Sequence, residues 1–230
     1  MITAKAVIFD FDCTLVDTLK RYHDVFNQLL TERGDEPLGR DEFFEYYVAD
    51  TLDDVITAPF NKERERKLHE FWLEFLRRYR ASDPGSKLIP GVTEVFQKLH
   101  DAGVPIAVIT SCVTPSAQIK EELASFGLDK FVKAIVTGDD VIKDLDEQHH
   151  FSKVEILRLV AERLGIDPRD CVVVGDYWND VRDGKVLGAR TVAVLTGLMR
   201  RELLEKYGPD AIIESVRDLL KVVKFETQKL

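Results

Sequence analysis

Residues 6–14 read Ala6-Val7-Ile8-Phe9-Asp10-Phe11-Asp12-Cys13-Thr14. An apolar run with no polar alternation predicts a strand buried on both faces, as in a parallel sheet covered by helices. The run is too short to span a bilayer and ends in two carboxylates, unlike a secretory leader. In extended chain, residues two apart share a face, so Asp10 and Asp12 are expected side by side at the strand's end. Carboxylates that close repel unless a cation or a shared proton intervenes. Mg²⁺, which prefers oxygen ligands, is the simplest relief. The plain alternative is a solvated turn after the strand.

Similar β-branched runs recur at Ile106–Ile109, Ala134–Val136, Cys171–Val174, Thr191–Leu195 and Ala211–Ile213. Helical spacing separates them. Thr114 reads as a cap with Pro115 at the first position of a helix running to about Phe126. A second helix runs from about Ser152 to Leu164 and stops at Gly165. Strands alternating with helices predict an α/β fold with a doubly wound parallel sheet, whose ligands sit at the carboxyl ends of the strands. Residues 16–86 break the alternation. Leu19, Tyr22, Phe26 and Leu30 trace one helical face, and Leu68, Phe71, Trp72, Phe75, Leu76 and Tyr79 trace another. No strand is expected between them. The predicted plan is a core of residues 1–15 and 87–230 with an all-helical insertion over 16–86. Asp83-Pro84-Gly85 and Pro90-Gly91 punctuate the return to the sheet.

Two later strand ends carry polar residues. Val108-Ile109-Thr110-Ser111 ends in hydroxyls suited to a phosphate oxygen, although such residues also serve as ordinary helix caps. Val174-Gly175-Asp176-Tyr177-Trp178-Asn179-Asp180 turns at a glycine and places two carboxylates four residues apart. Four aspartates and a threonine are thus predicted on one sheet edge, which a purely structural role leaves unexplained.

Taken in order, DFDCT at Asp10–Thr14, the strand-ending Thr110 and GDYWND at Gly175–Asp180 resemble the haloacid dehalogenase superfamily, and residues 16–86 resemble its helical cap of the first type. The family signature is DxDxT, then Thr or Ser, a Lys, and GDxxxD. The resemblance implies a phosphatase forming an aspartyl-phosphate on Asp10, with Asp12 as acid and then base. It implies phosphate binding by Thr110, with Ser111 beside it, and Mg²⁺ held by Asp10, Asp12 (through its backbone carbonyl), Asp176 and Asp180. Two lysines compete for the family's Lys. Lys153 has the spacing of one subgroup relative to Gly165 and is favoured, and Lys143 lies in a charged loop. The KPxPE subgroup pattern fails because Phe151 occupies its lysine position. Gly often stands where this chain has Cys13, whose Cβ predicts ordinary backbone angles.

Asp12 argues against carbon–halogen cleavage, where the resembling motif is DxYxT. A phosphomutase uses the same motifs but must hold a sugar in its cap. No signature for that is found, so hydrolysis is favoured. A receiver-like or purely phosphate-binding protein is the reading from another class, and the motif order and helical insertion disfavour a receiver. The expected substrate is a small phosphorylated metabolite: a phosphoglycolate-like compound, a sugar phosphate or a nucleotide. Arg21 and His23, just past the first linker, are the insertion residues expected nearest to it.

Composition sets the outer limits. The 230 residues carry 32 basic and 41 acidic side chains, a formal charge of −9. That balance disfavours a nucleic-acid backbone as the partner and leaves room for a cation. No apolar run is long enough to cross a membrane. Cys13, Cys112 and Cys171 form no CxxC and suggest a reducing, cytoplasmic setting. His149-His150 lacks the partners of a zinc site. Oligomeric state is left open.

Overall fold

The computed structural model describes residues 1–79, 85–147, 152–197 and 199–226. Asp83, Pro84, His149, His150 and Phe151 lie outside them.

The first half of the chain runs β1 (Ile2–Ala4), β2 (Ala6–Asp10), β3 (Val16–Asp17), α1 (Leu19–Glu32), α2 (Arg40–Ala49), α3 (Leu52–Ile56), α4 (Arg64–Arg78), β4 (Lys87–Leu88), α5 (Val92–Asp101), β5 (Ile106–Thr110) and α6 (Ser116–Ser125). Then follow β6 (Val132–Thr137), α7 (Ile142–Glu147), α8 (Val154–Leu164), β7 (Cys171–Gly175), α9 (Trp178–Val186), β8 (Arg190–Val194), α10 (Arg201–Lys206), β9 (Ala211–Ile213), α11 (Leu219–Val222) and β10 (Val223–Phe225).

Six strands pair in parallel in the order β6-β5-β2-β7-β8-β9. This is the doubly wound α/β arrangement, with the chain reversing its direction of travel at β2 and β7. Each of the six apolar runs read from the sequence became one of these strands. The two-residue period of a strand explains how β2 serves both layers. Val7 and Phe9 join Phe96, Leu99 and Leu219 in one core, and Ala6 and Ile8 join Ile156, Leu157 and Val160 of α8 in the other. Both faces of the strand are dry, which is why its sequence shows no polar alternation.

The segment between β2 and α5 has its own hydrophobic cluster, built on Phe26, Phe43, Trp72 and Phe75. Ring centroids lie 5.2 Å apart for Phe26 and Phe71 and 5.3 Å for Trp72 and Phe75, inside the range of favourable aromatic contact. The Trp72 indole N–H donates to Asp53 at 2.7 Å, so the ring is buried with its polar atom satisfied.

Three local expectations are corrected. A strand pair does flank the helices: β3 and β4 form a two-residue antiparallel ribbon at the root of the segment. It is too short for any periodic signal. Helix α6 begins at Ser116, because the Thr114 hydroxyl donates to Gln118 and caps nothing. Cys13 has φ 57°, in the left-handed region, although it carries a Cβ. The tight loop in which Cys13 N–H donates to Val16 O and Leu15 N–H to Phe11 O imposes it. Among the described residues, no helix is long and apolar enough to cross a membrane.

Gly91 opens α5 at φ 93°, and a Cβ there would lie 2.5 Å from Cβ of Arg217. Gly91→Ala is therefore expected to cost about 1–2 kcal/mol or more, from the left-handed backbone and the clash together. Urea unfolding checks it: the midpoint falls while the slope stays constant.

Candidate active site

The sheet brings together side chains separated by more than half the chain. Asp10 ends β2, Thr110 ends β5, and Asp176 follows β7, all three buried. Asp12 lies two residues past β2, half-buried, and Asp180 sits in the first turn of α9. Lys153 stands at the cap position of α8 and is also buried.

Each group is held by a specific partner. Lys153 Nζ donates to Asp10 Oδ1 and to Asp180 Oδ1, both at 2.7 Å. Thr14 Oγ1 donates to Asp176 Oδ1 at 2.8 Å, and Thr110 Oγ1 to Asp12 Oδ2 at 2.9 Å. The Cys112 N–H donates to Thr110 Oγ1 at 3.1 Å, which orients the hydroxyl toward Asp12. Ser111 Oγ is buried and, among the described residues, has no hydrogen-bond partner. Lys143, the competing lysine, is exposed on α7. The structure thus brings Lys153, and not Lys143, to the aspartates.

Carboxylate oxygens of Asp10, Asp176 and Asp180 lie within 4.8 Å of one another, and all three residues are buried. Asp12 is not in that group of side chains. Burial pushes the Asp10 carboxyl well above its usual range against the pull of Lys153, and Asp180 and Asp176 add to the rise. Burial, with Asp180 beside it, pushes Asp176 up to about 7, the Thr14 hydroxyl opposing. Burial opposes the Lys153 charge, but Asp10 and Asp180 more than offset it and raise its pKa. A hard divalent cation fits such a donor set: three oxygen ligands in one pocket, each stabilised as an anion when the cation is present.

The family model for haloacid dehalogenase-like hydrolase matches residues 7–194, which include all of these groups. The chain belongs to the haloacid dehalogenase-like hydrolases. Pyrophosphatase PpaX of Bacillus pumilus is 26% identical over 223 residues, covering 96% of this chain and 97% of its own. Phosphoglycolate phosphatase of Escherichia coli K12 is 31% identical over 170 residues, 74% of this chain, which spans 62% of that relative's length. A crystal structure of a predicted phosphatase from Clostridium acetobutylicum superposes with a TM-score of 0.72 at 21% identity, covering 95% of this chain and 97% of its own. At that identity the likeness is one of fold.

Several contributors to this hydrolase's site escaped sequence reading. The loop after β8 supplies Thr196, whose hydroxyl donates to the Cys13 carbonyl at 2.6 Å, and Gly197. A Cβ on Gly197 would lie 1.8 Å from Asp176 Oδ2, so only glycine lets that loop pass. Asp183 is buried and accepts from the Lys153 backbone N–H, fixing the start of α8. Its position three residues beyond Asp180 on a helix was the available signal. Arg21 and His23, by contrast, do not line the cavity over the aspartates. Arg21 is buried against Ser86 and Glu122, and His23 is bonded to Asn27 and the Leu38 carbonyl. The insertion meets the cavity with Tyr22, Tyr47, Phe75, Leu76 and Tyr79 instead.

The raised carboxylates make metal binding visible without turnover. Asp176 keeps its proton to about pH 7 when folded, against about 4 unfolded. Its contribution to stability is fully present below about pH 4 and is lost as pH rises through about 7. Mg²⁺ is expected to raise the Tm of the metal-free protein more at pH 8 than at pH 5, in a thermal-shift series with EDTA-treated enzyme. In the same assay Gly197→Ala should weaken the Mg²⁺ response about tenfold or more, by displacing Asp176.

Proposed function

We propose that this hydrolase is a Mg²⁺-dependent phosphatase that releases phosphate from a small phosphorylated metabolite through a covalent phosphate on Asp10. One observation carries the reading: two neighbouring carboxylates are held for different tasks. Asp10 is buried and bound by the Lys153 ammonium at 2.7 Å, and Asp12 is half-buried and bound by the Thr110 hydroxyl at 2.9 Å. The names of the relatives, a pyrophosphatase and a phosphoglycolate phosphatase, support phosphate chemistry.

In this reading Asp10 attacks the phosphorus, forming one P–O bond as the bond to the substrate's alcohol oxygen breaks. Asp12 gives its proton to that leaving oxygen, then removes one from the water that cleaves the aspartyl-phosphate. Thr110, Ser111 and the N–H groups of their loop hold the transferring oxygens. Lys153 stays charged beside Asp10 and reduces the repulsion between its carboxylate and an incoming phosphate. Asp10, Asp176 and Asp180, with the Asp12 carbonyl, would hold Mg²⁺, which when bound supplies Lewis-acid stabilisation of charge on the phosphoryl oxygens. The helical insertion acts as a cap that covers the aspartates and excludes water.

Phosphate release from p-nitrophenyl phosphate and from alkyl phosphates tests the scheme. Asp10→Asn is expected to lower kcat by about 10³-fold or more, and EDTA to abolish turnover reversibly. Asp12→Asn should slow alkyl phosphates far more than p-nitrophenyl phosphate, whose leaving group needs no proton. Wild-type turnover by Asp10→Asn, or a rate indifferent to EDTA, refutes the mechanism.

A further inference from the structure

The wall facing the aspartates is unusual in what it omits. From the helical insertion come Tyr22, Tyr47, Phe75, Leu76 and Tyr79, and from the core comes Tyr177. Among the described residues, no Arg, Lys or His of the insertion lines the cavity, although the segment is rich in bases. Those nearest in sequence are engaged elsewhere: Arg21 with Ser86 and Glu122, Lys20 with Asp24, His23 with Asn27 and the Leu38 carbonyl. Lys153, the cation that does line the cavity, is held by Asp10 and Asp180. The floor is already crowded with carboxylates.

An additional anionic group on the substrate, a carboxylate or a second phosphate, would therefore leave water for aromatic surface where, among the described residues, the insertion offers no cation to meet it. Burying an unpaired charge in that way is strongly unfavourable. The same wall suits a neutral ring or hydrocarbon. Tyr22 packs at 4.6 Å from Phe75 and 5.2 Å from Tyr47, forming a continuous aromatic surface. Among the described residues neither the Tyr22 nor the Tyr47 hydroxyl has a hydrogen-bond partner, and burial raises both pKa values, so both remain O–H groups. They are available to an uncharged oxygen or nitrogen on a ligand.

We propose that the group esterified to the phosphate is an uncharged alcohol with an apolar, ring-bearing face, and that carboxylate-bearing and doubly phosphorylated compounds are disfavoured. Tyr22 and Tyr47 are then specificity residues. The inference rests on the phosphatase reading, and it separates this chain from what the names of its two relatives describe.

Two phosphonates with the same CH₂–PO₃ head test it on the full-length protein in Mg²⁺ buffer: benzylphosphonate, which ends in a phenyl ring, and phosphonoacetate, which ends in a carboxylate. Calorimetry is expected to show benzylphosphonate binding about tenfold more tightly or better. Benzyl phosphate should likewise exceed phosphoglycolate and pyrophosphate in kcat/KM. Equal or tighter binding of phosphonoacetate overturns the proposal. Tyr22→Arg is expected to shrink the preference at least fivefold by tightening phosphonoacetate, with circular dichroism confirming the fold. An unchanged ratio in a folded variant overturns the assignment of Tyr22. Should no ester release phosphate while benzylphosphonate still binds more tightly, the phosphatase reading fails and the preference of the wall stands.

Discussion

The structure depends on the way one buried ammonium is shared between two buried carboxylates. Lys153 reaches Asp10 and Asp180 at the same 2.7 Å, and none of the three is open to solvent. Breaking such a contact by removing one partner typically costs about 3–5 kcal/mol, because the other charge is stranded. The contact also ties three separate elements together: the end of β2, the start of α8 and the first turn of α9. Asp183 reinforces it by accepting from the Lys153 backbone, so the lysine is placed by its main chain as well as by its charge. With four aspartates on one edge, a single ammonium is not enough to balance them, and burial first, then the neighbouring carboxylates, raise the carboxyls of Asp10 and Asp176.

The helical insertion meets the core through polar contacts of a different kind. Tyr177, inside the GDYWND segment, donates its hydroxyl to Asp50 at the end of α2. Arg21 crosses to Glu122 on α6. These contacts position the aromatic wall over the aspartates. They also remove Arg21 from the cavity, which explains how a segment with so many basic residues can present an apolar face to a site for an anion.

Much of this was legible in the chain. The six parallel strands were marked by apolar runs, because strands buried on both faces leave that signature. The Asp10–Asp12 pair and the Asp176–Asp180 pair were marked by their place at strand ends, where this fold presents its ligand-binding residues. Lys153 could be preferred to Lys143 only by spacing. The β3–β4 ribbon was invisible, since two residues have no period. Gly197 and Thr196 carry no local motif, and their importance is a matter of distance to Asp176 and to the Cys13 carbonyl across 183 residues of chain.

Residue order by itself determined the doubly wound class, the helical insertion and the acidic edge, because periodicity, turn residues and strand-end polarity are local properties. It could not determine which charge meets which. Arg21 and His23 followed the first motif closely and still turned away, while tyrosines from α1, from α2 and from the residue after α4 turned in. Cys13 was expected in an ordinary conformation, and loop closure between Phe11 and Val16 placed it at φ 57°. Such outcomes depend on the relative placement of distant elements, where burial makes every charge find a partner and every close approach exclude a side chain. Only the tertiary structure decides those.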